Sequence, residues 1–209
     1  MTDAPAETGV DGRKLSSKGA RTRRRLLEAA ERVFAELGYH DASIVKITEA
    51  AGVGQGTFYL YFSSKKEIFD ELVLDLNHRV RQAMTEGASG GTTRAERELL
   101  GFKAFFRFTA EHPALYRIIR QAEFVSPEML HRHYERLTDG YVAGLRQAMD
   151  EGEIAEGDPE VLAWALMGIG ELVGMRWILW AEQEDLPPEV FGELATVIRR
   201  AIGAPEDGR

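Results

Sequence analysis

Between positions 43 and 68 the chain reads SIVKITEAAGVGQGTFYLYFSSKKEI, and its hydrogen-bonding side chains suit contact with a nucleic acid. A glutamine at a helix start, Gln55, can pair two ways with an adenine edge, whereas the hydroxyls of Tyr59 and Tyr61 and the ammonium of Lys65 match phosphate oxygens. Two short helices and a turn must hold these groups. Ser43 is a good N-cap, and Ile44, Ile47, Ala50 and Ala51 follow at helical spacing. Gly52 can take a left-handed conformation, so the chain turns within Gly52-Val53-Gly54. A second helix is expected over residues 55–62, with Phe58 and Phe62 facing inward and Gln55, Thr57, Tyr59, Leu60 and Tyr61 around the rest. Three consecutive large side chains on two turns cannot all face one core, so Tyr59, Leu60 and Tyr61 do not read as a core stripe. Ser64 and Glu67 form a capping box that opens the next helix.

Charge is divided along the chain. The 209 residues carry a net charge of -8, yet residues 1–66 hold 11 Lys+Arg against 8 Asp+Glu, a net of +3, and residues 67–209 hold 15 against 26, a net of -11. A basic head on an acidic body fits a polyanion at one end, because the acidic part is repelled from phosphates and orients the approach. The cations concentrate in Arg13, Lys14, Lys18, Arg21, Arg23, Arg24 and Arg25. Residues 1–12 are expected to be disordered, and a helix over residues 21–37 presents Leu27, Ala30, Val33, Phe34 and Leu37 as one apolar stripe ending at Gly38. Arg21, Arg23 and Arg24 are then placed for phosphate or minor-groove contact. No signal-peptide core is present, and the absence of cysteine excludes disulfides and thiolate zinc sites, consistent with a reducing cytoplasm.

The combination of Gly38-Tyr39-His40, Ser43, Ile47, Ala50-Ala51-Gly52-Val53, Gly56-Thr57-Phe58-Tyr59-Leu60-Tyr61-Phe62 and Lys65-Lys66-Glu67 resembles the N-terminal domain of the tetracycline-repressor (TetR) family. The resemblance covers residues 21–72. It implies that Gln55, Gly56, Thr57, Tyr59, Leu60 and Tyr61 face the major groove, with Tyr59, Tyr61 and Lys65 on phosphates. It also brings the helix start at Ser43 and Lys46 near the backbone. Two departures stand out: Leu60 occupies a place more often polar or aromatic, and Gly54 replaces the usual serine cap. Glycine loosens that cap by only a few tenths of a kcal/mol.

The remaining chain reads as helices throughout, giving an all-α fold. They are expected over residues 64–84, 93–111, 113–123 and 126–150, then from Pro159 to near Glu182 and from Pro187 to Ile202 or Gly203, with a flexible loop at 86–91. Domains are assigned as a disordered basic arm at 1–18, a helix-turn-helix domain at 19–66 and a helical ligand-binding and dimerisation domain at 67–205. Between Pro159 and Glu182 the sequence VLAWALMGIGELVGMRWILWA is long enough to raise a membrane span, but Glu171 and Arg176 would be costly in lipid. A dimer interface is expected instead, with Gly170 and Gly174 allowing close approach of a partner and Leu194, Val197, Ile198 and Ile202 adding a second stripe. Two helices from each chain would form a four-helix bundle.

Dimerisation is needed because one short reading helix contacts few bases, and two copies read a palindrome. Phe105, Phe108, Tyr116, Arg120, Phe124, Tyr134, Tyr141, Trp164 and Met167 are candidate lining for a small-molecule pocket. Arg120 and Glu123 interrupt an apolar helix, where they either face solvent or, if buried, need a partner or an anionic ligand such as an organic acid or an acyl-coenzyme-A thioester. His40, His78, His112, His131 and His133 are scattered, and no nucleophile elbow, phosphate loop or metal motif appears. No enzyme activity, cofactor or metal is therefore expected. The reading is a cytoplasmic homodimeric repressor on a palindromic operator, released by an effector. The alternative is a DNA-binding regulator without such an effector, acting as an activator or under control of a protein partner.

Overall fold

The computed structural model describes residues 8–204, and among them no strand forms beyond one isolated bridge pairing Thr8 with Lys14. Helix α1 (Ser17–Asp41) starts earlier than the apolar stripe indicates, because Ser16 caps it by accepting from the Gly19 amide. Gly38, at φ 77° and ψ 164°, interrupts the helical backbone near its end. After it come α2 (Ile44–Ala51), α3 (Gln55–Phe58), α4 (Lys65–Ala88), α5 (Arg94–Glu111), α6 (Ala114–Val125), α7 (Pro127–Asp150), α8 (Pro159–Gly174) and α9 (Pro188–Ala201). The expected helix from Pro159 to Glu182 is not uniform: a π-helical segment, Met175–Leu179, succeeds α8, with the Trp180 amide reaching Met175 O at 3.0 Å.

The chain divides into two compact units. One takes the residues up to His78 together with Ala114–His133, the other Arg79–Pro113 together with the residues from Tyr134 onward. The boundary expected between 66 and 67 falls inside α4 (Lys65–Ala88). In the first unit α6 closes the end of α1: Gln121 Oε1 accepts from the Tyr39 amide at 2.6 Å, its Nε2 donates to Phe34 O at 3.4 Å, and Arg117 donates to Ala35 O at 3.2 Å. The last carbonyls of a helix have no partner within it, so α6 satisfies groups that Gly38 leaves open. Sequence distance hid this contact.

The first unit's core is built on fully buried Leu26, Phe34, Ile47, Phe58, Phe62, Ile68, Phe69 and Leu72. Leu37, expected in the apolar stripe, is 41 % exposed, while Leu26 and Ala29 are inside instead. Lys66 donates to Asp70 at 2.7 Å and to Ser126 Oγ at 3.0 Å, tying the start of α4 to the residue preceding α7. Deeper along both helices, Asn77 Nδ2 donates to His133 O at 2.9 Å and faces His133 Nδ1 at 3.1 Å. Nδ1 must then be the accepting nitrogen, which requires a neutral ring. Burial lowers the His133 pKa to about 4, below its value in an unfolded chain.

A native pKa below the unfolded one means that the unfolded state binds more protons between the two values, so stability falls as pH drops from about 6.5 toward 4. Between pH 7.5 and 5 the loss from this group should be about 2 kcal/mol. Urea unfolding at the two pH values should show it, and His133→Gln should remove that part of the pH dependence. An unchanged difference in the variant would assign the effect elsewhere.

The second unit is centred on Phe102, Phe106, Leu145, Ala163, Leu166, Ile178, Leu194, Ile198 and Ile202. Arg94 pairs with the buried Glu98, which also accepts from the Tyr141 hydroxyl, joining α5 to α7. Burial, reinforced by Glu98, pushes the Tyr141 pKa up and keeps the phenol a donor.

Two expectations about the partner-facing side are corrected by this core. Gly170 and Gly174 are buried within their own unit, where a Cβ on Gly170 would lie 3.0 Å from the Phe102 ring. Leu194, Ile198 and Ile202 likewise face inward, leaving Val197 as the exposed member of that stripe at 50 %. The outward face of α8 carries Val161, Trp164, Gly168 and Leu172, at i, i+3, i+7 and i+11. Helical periodicity alone does not say which of two apolar faces is covered.

Candidate nucleic-acid interface

The turn between α2 and α3 is fixed from both sides. Ser43 caps α2 by accepting from the Lys46 amide at 3.2 Å, and Gly52 ends it in the left-handed region at φ 64° and ψ 41°. The Gly52 amide reaches Glu49 O and the Val53 amide reaches Thr48 O, both at 3.0 Å, closing the helix end. Arg25 of α1 donates to Ala51 O and Gly52 O, and Arg32 donates to Ala50 O at 3.4 Å. Arg25 therefore serves as a cap for the turn, a role that an arginine run in sequence does not reveal.

Helix α3 is shorter than the expected 55–62. After Phe58 the chain continues in turns, with the Tyr61 and Phe62 amides both reaching Phe58 O, at 2.9 and 3.0 Å. Gly54 supplies no side-chain cap, which helps to explain the short helix. Phe58 and Phe62 are fully buried with ring centroids 5.6 Å apart, as their spacing requires. Around this anchor Gln55 and Gly56 are exposed, Tyr59 is 51 % and Leu60 63 % exposed, and Thr57 and Tyr61 are half-buried. Gln55 thus presents an amide and Leu60 an apolar surface to solvent.

The cations are placed unequally. Arg21 and Arg24 are exposed on the first turns of α1, and Lys46 is exposed with its Nζ donating to Asp41 O at 3.0 Å. Arg23 does not belong to the surface. Its side chain is 5 % exposed, pairs with Glu71 of α4 and lies 4.9 Å over the Phe62 ring, because the inward face of α1 passes through position 23. Lys65 spends its ammonium on Tyr39 O at 2.7 Å and Ala42 O at 2.8 Å, above the Tyr39 ring at 4.3 Å. It closes the end of α1. Glu67 accepts from the Ser63 amide at 2.6 Å rather than from Ser64, so the capping box extends one residue back.

An exposed, hydrogen-bonding face on a short helix held across a glycine turn is the geometry of a helix-turn-helix reader. The sequence model of a family described as "Bacterial regulatory proteins, tetR family" matches residues 26–72, which span the end of the α1 core face, α2, α3 and the start of α4. Over residues 26–72 the chain is similar to the TetR family.

Similarity to known proteins extends beyond these residues. An uncharacterized helix-turn-helix transcriptional regulator of Bacillus subtilis, YdgC, is 38 % identical over 118 residues, 54 % of this chain and 59 % of that protein. The chain thus spans about three fifths of that relative in the matched region. The fatty acid metabolism regulator protein of B. subtilis is 28 % identical over 77 % of this chain and 86 % of its own length. Among solved structures, the B. subtilis transcriptional regulator FadR in complex with stearoyl-CoA superposes with a TM-score of 0.72 at 23 % identity, covering 88 % of this chain and 99 % of that one. The superposition shows a shared all-helical fold beyond the matched N-terminal residues.

The expected pocket residues are divided between the two units. Tyr116, Arg120 and Phe124 lie on α6 in the first unit, whereas Phe105, Phe108, Tyr134, Tyr141, Trp164 and Met167 belong to the second. Phe124 is 81 % exposed and Arg120 is exposed, so neither lines a cavity within its unit. Trp164 is 46 % exposed on the outward stripe of α8. Within the second unit Tyr134 donates to Glu171 at 3.0 Å and packs 5.7 Å from Trp164, while Phe108 is buried and Phe105, Tyr141 and Met167 are half-buried.

Proposed function

We propose that the protein is a homodimeric repressor that binds a palindromic operator and is released by a small-molecule effector of the acyl-coenzyme-A class. The observation that carries the DNA part is the exposed set Gln55, Gly56, Tyr59 and Leu60 around the buried Phe58–Phe62 anchor. Supporting the dimer, the outward face of α8 leaves Val161 66 % and Leu172 63 % exposed in a single chain, an apolar stripe that a second copy would cover. The effector class draws on the fatty acid metabolism regulator and on the stearoyl-CoA held by FadR.

In this reading Gln55, Thr57 and Leu60 meet bases, and Tyr59, Tyr61, Arg21, Arg24, Lys46 and the α2 start at Ser43 meet the backbone. Effector binding releases DNA only if it favours a state whose half-site spacing no longer fits. Gln121, which closes α1 from α6, is the natural place for such a state to differ, since α6 lies far along the chain from the reading helix.

Operators recovered by selection of genomic fragments allow the test. Tyr59→Phe should weaken binding about 3- to 10-fold on every sequence, whereas Gln55→Ala should mainly relax preference at one base pair, by about 1–3 kcal/mol. Lys65→Ala should also lower stability by about 1–2 kcal/mol, because it strips the carbonyls of Tyr39, His40 and Ala42 of this donor. Anisotropy titrations with specific and scrambled duplexes separate these effects, and unchanged binding in both Tyr59→Phe and Gln55→Ala would overturn the site. Stearoyl-CoA that neither raises the melting temperature nor releases DNA would overturn the effector class.

A further inference from the structure

Residues 8–14 form a closed turn joined to the reading element, although their composition suggests disorder over residues 1–12; residues 1–7 of that arm lie outside the described residues. The Gly9 amide reaches Arg13 O at 3.0 Å, the Gly12 amide reaches Gly9 O at 2.9 Å, and Thr8 and Lys14 pair across the opening. Asp11 Oδ1 accepts from the Arg13 amide at 3.1 Å, and Gly12 turns the chain at φ 73°. The turn is docked, not merely closed. Val10 donates its amide to Leu60 O at 3.2 Å, and Gly9 comes so near that an added Cβ would stand 3.0 Å from the same carbonyl. Leu15 packs beneath, within 3.5 Å of the Cβ positions of both Gly9 and Gly19.

Leu60 belongs to the face assigned above to DNA, so whatever is fastened to its carbonyl flanks that face. What is fastened there is basic. Residues 8–18 carry Arg13, Lys14 and Lys18 against Asp11 alone, and all three cations are exposed. The Arg13 side chain is 87 % exposed, with Asp11 Oδ2 3.6 Å from its Nε, so most of the guanidinium is open to solvent. An exposed guanidinium fork suits phosphate oxygens.

We propose that residues 8–14 are a second, pre-formed DNA-contact element that grips backbone phosphates flanking the base pairs under α3, with Arg13 as its principal cation. The proposal rests on the DNA reading of α3. A turn already held by main-chain hydrogen bonds loses little freedom on binding, so its cations contribute more than those of a free tail.

The full-length protein is titrated in rising salt against the selected operator with long flanks and with flanks trimmed to the palindrome. Arg13→Ala should weaken binding about 3- to 10-fold on the long duplex and reduce the slope of log affinity against log salt by about one per protomer. On the trimmed duplex the variant and wild type should agree. Gly12→Val keeps every charge and meets open space, but its φ of 73° disfavours a β-branched residue, so it should lose affinity on the long duplex with an unchanged melting temperature. Equal slopes and affinities for wild type and Arg13→Ala on the long duplex, while Tyr59→Phe remains weakened, would overturn the second element alone. Absence of any duplex binding by the wild type would remove the α3 reading and this proposal together.

Discussion

Leu172→Glu should yield a folded monomer that has lost most of its operator affinity. In a single chain Leu172 is 63 % exposed on α8, so a carboxylate there meets water and should change stability by no more than about 0.5 kcal/mol. In a dimer covering the Val161–Trp164–Gly168–Leu172 stripe, the same carboxylate is buried twice, once from each copy, near an axis that brings like charges together. Stranding unpaired charge inside an interface typically costs about 3–5 kcal/mol, which weakens association by about a thousandfold. A lone protomer reads one half-site, and affinity for the full palindrome should fall about 100-fold or more. Sedimentation, circular dichroism and operator binding together give the test, with Leu172→Met as the conservative control. A Leu172→Glu protein that remains dimeric would mean that α8 is not the interface. In that case the 28 % burial of the most apolar stretch in Pro159–Leu179 would need another cover.

The largest stability loss is expected from Arg23→Ala. The guanidinium is buried against Phe62 and paired with Glu71, and burial lowers its pKa while Asp75 and Glu67 raise it. Removing it leaves Glu71, 24 % exposed, facing a cavity without its partner, for a loss of about 3 kcal/mol. Arg23→Met, which restores volume but not charge, should recover part of it. The double change Arg23→Met with Glu71→Gln should recover more, because no unpaired charge then remains. Urea unfolding at pH 7.5 provides the values. If Arg23→Ala instead left stability intact and weakened DNA binding, the residue would return to the contact surface where its place in an arginine run first put it.

Arg23 shows where the linear sequence stops being informative. Seven cations between positions 13 and 25 look alike on paper, but the tertiary structure divides them among different tasks. Arg25 caps the turn after α2, Arg23 supports α4 and Phe62, and Arg21 and Arg24 face solvent. A helix rotates its side chains by about 100° per residue, so adjacent arginines must differ in environment, and which one points inward depends on what packs there. Lys65 teaches the same lesson, because its neighbours at Tyr39 and Ala42 are brought close only by folding.

By itself the sequence determined the all-helical class, the Ser43–Gly52 helix and turn, the buried Phe58–Phe62 pair and the exposed Gln55, Tyr59 and Leu60. These follow from local rules: caps, left-handed glycines and 3.6-residue periodicity act within a few positions. The tertiary structure decided which apolar face of α8 is covered, that α6 packs with the N-terminal helices, and that residues 8–14 are docked on Leu60 O. Each depends on groups tens of residues apart meeting at contact distance, and no local pattern encodes which carbonyl a distant amide will find.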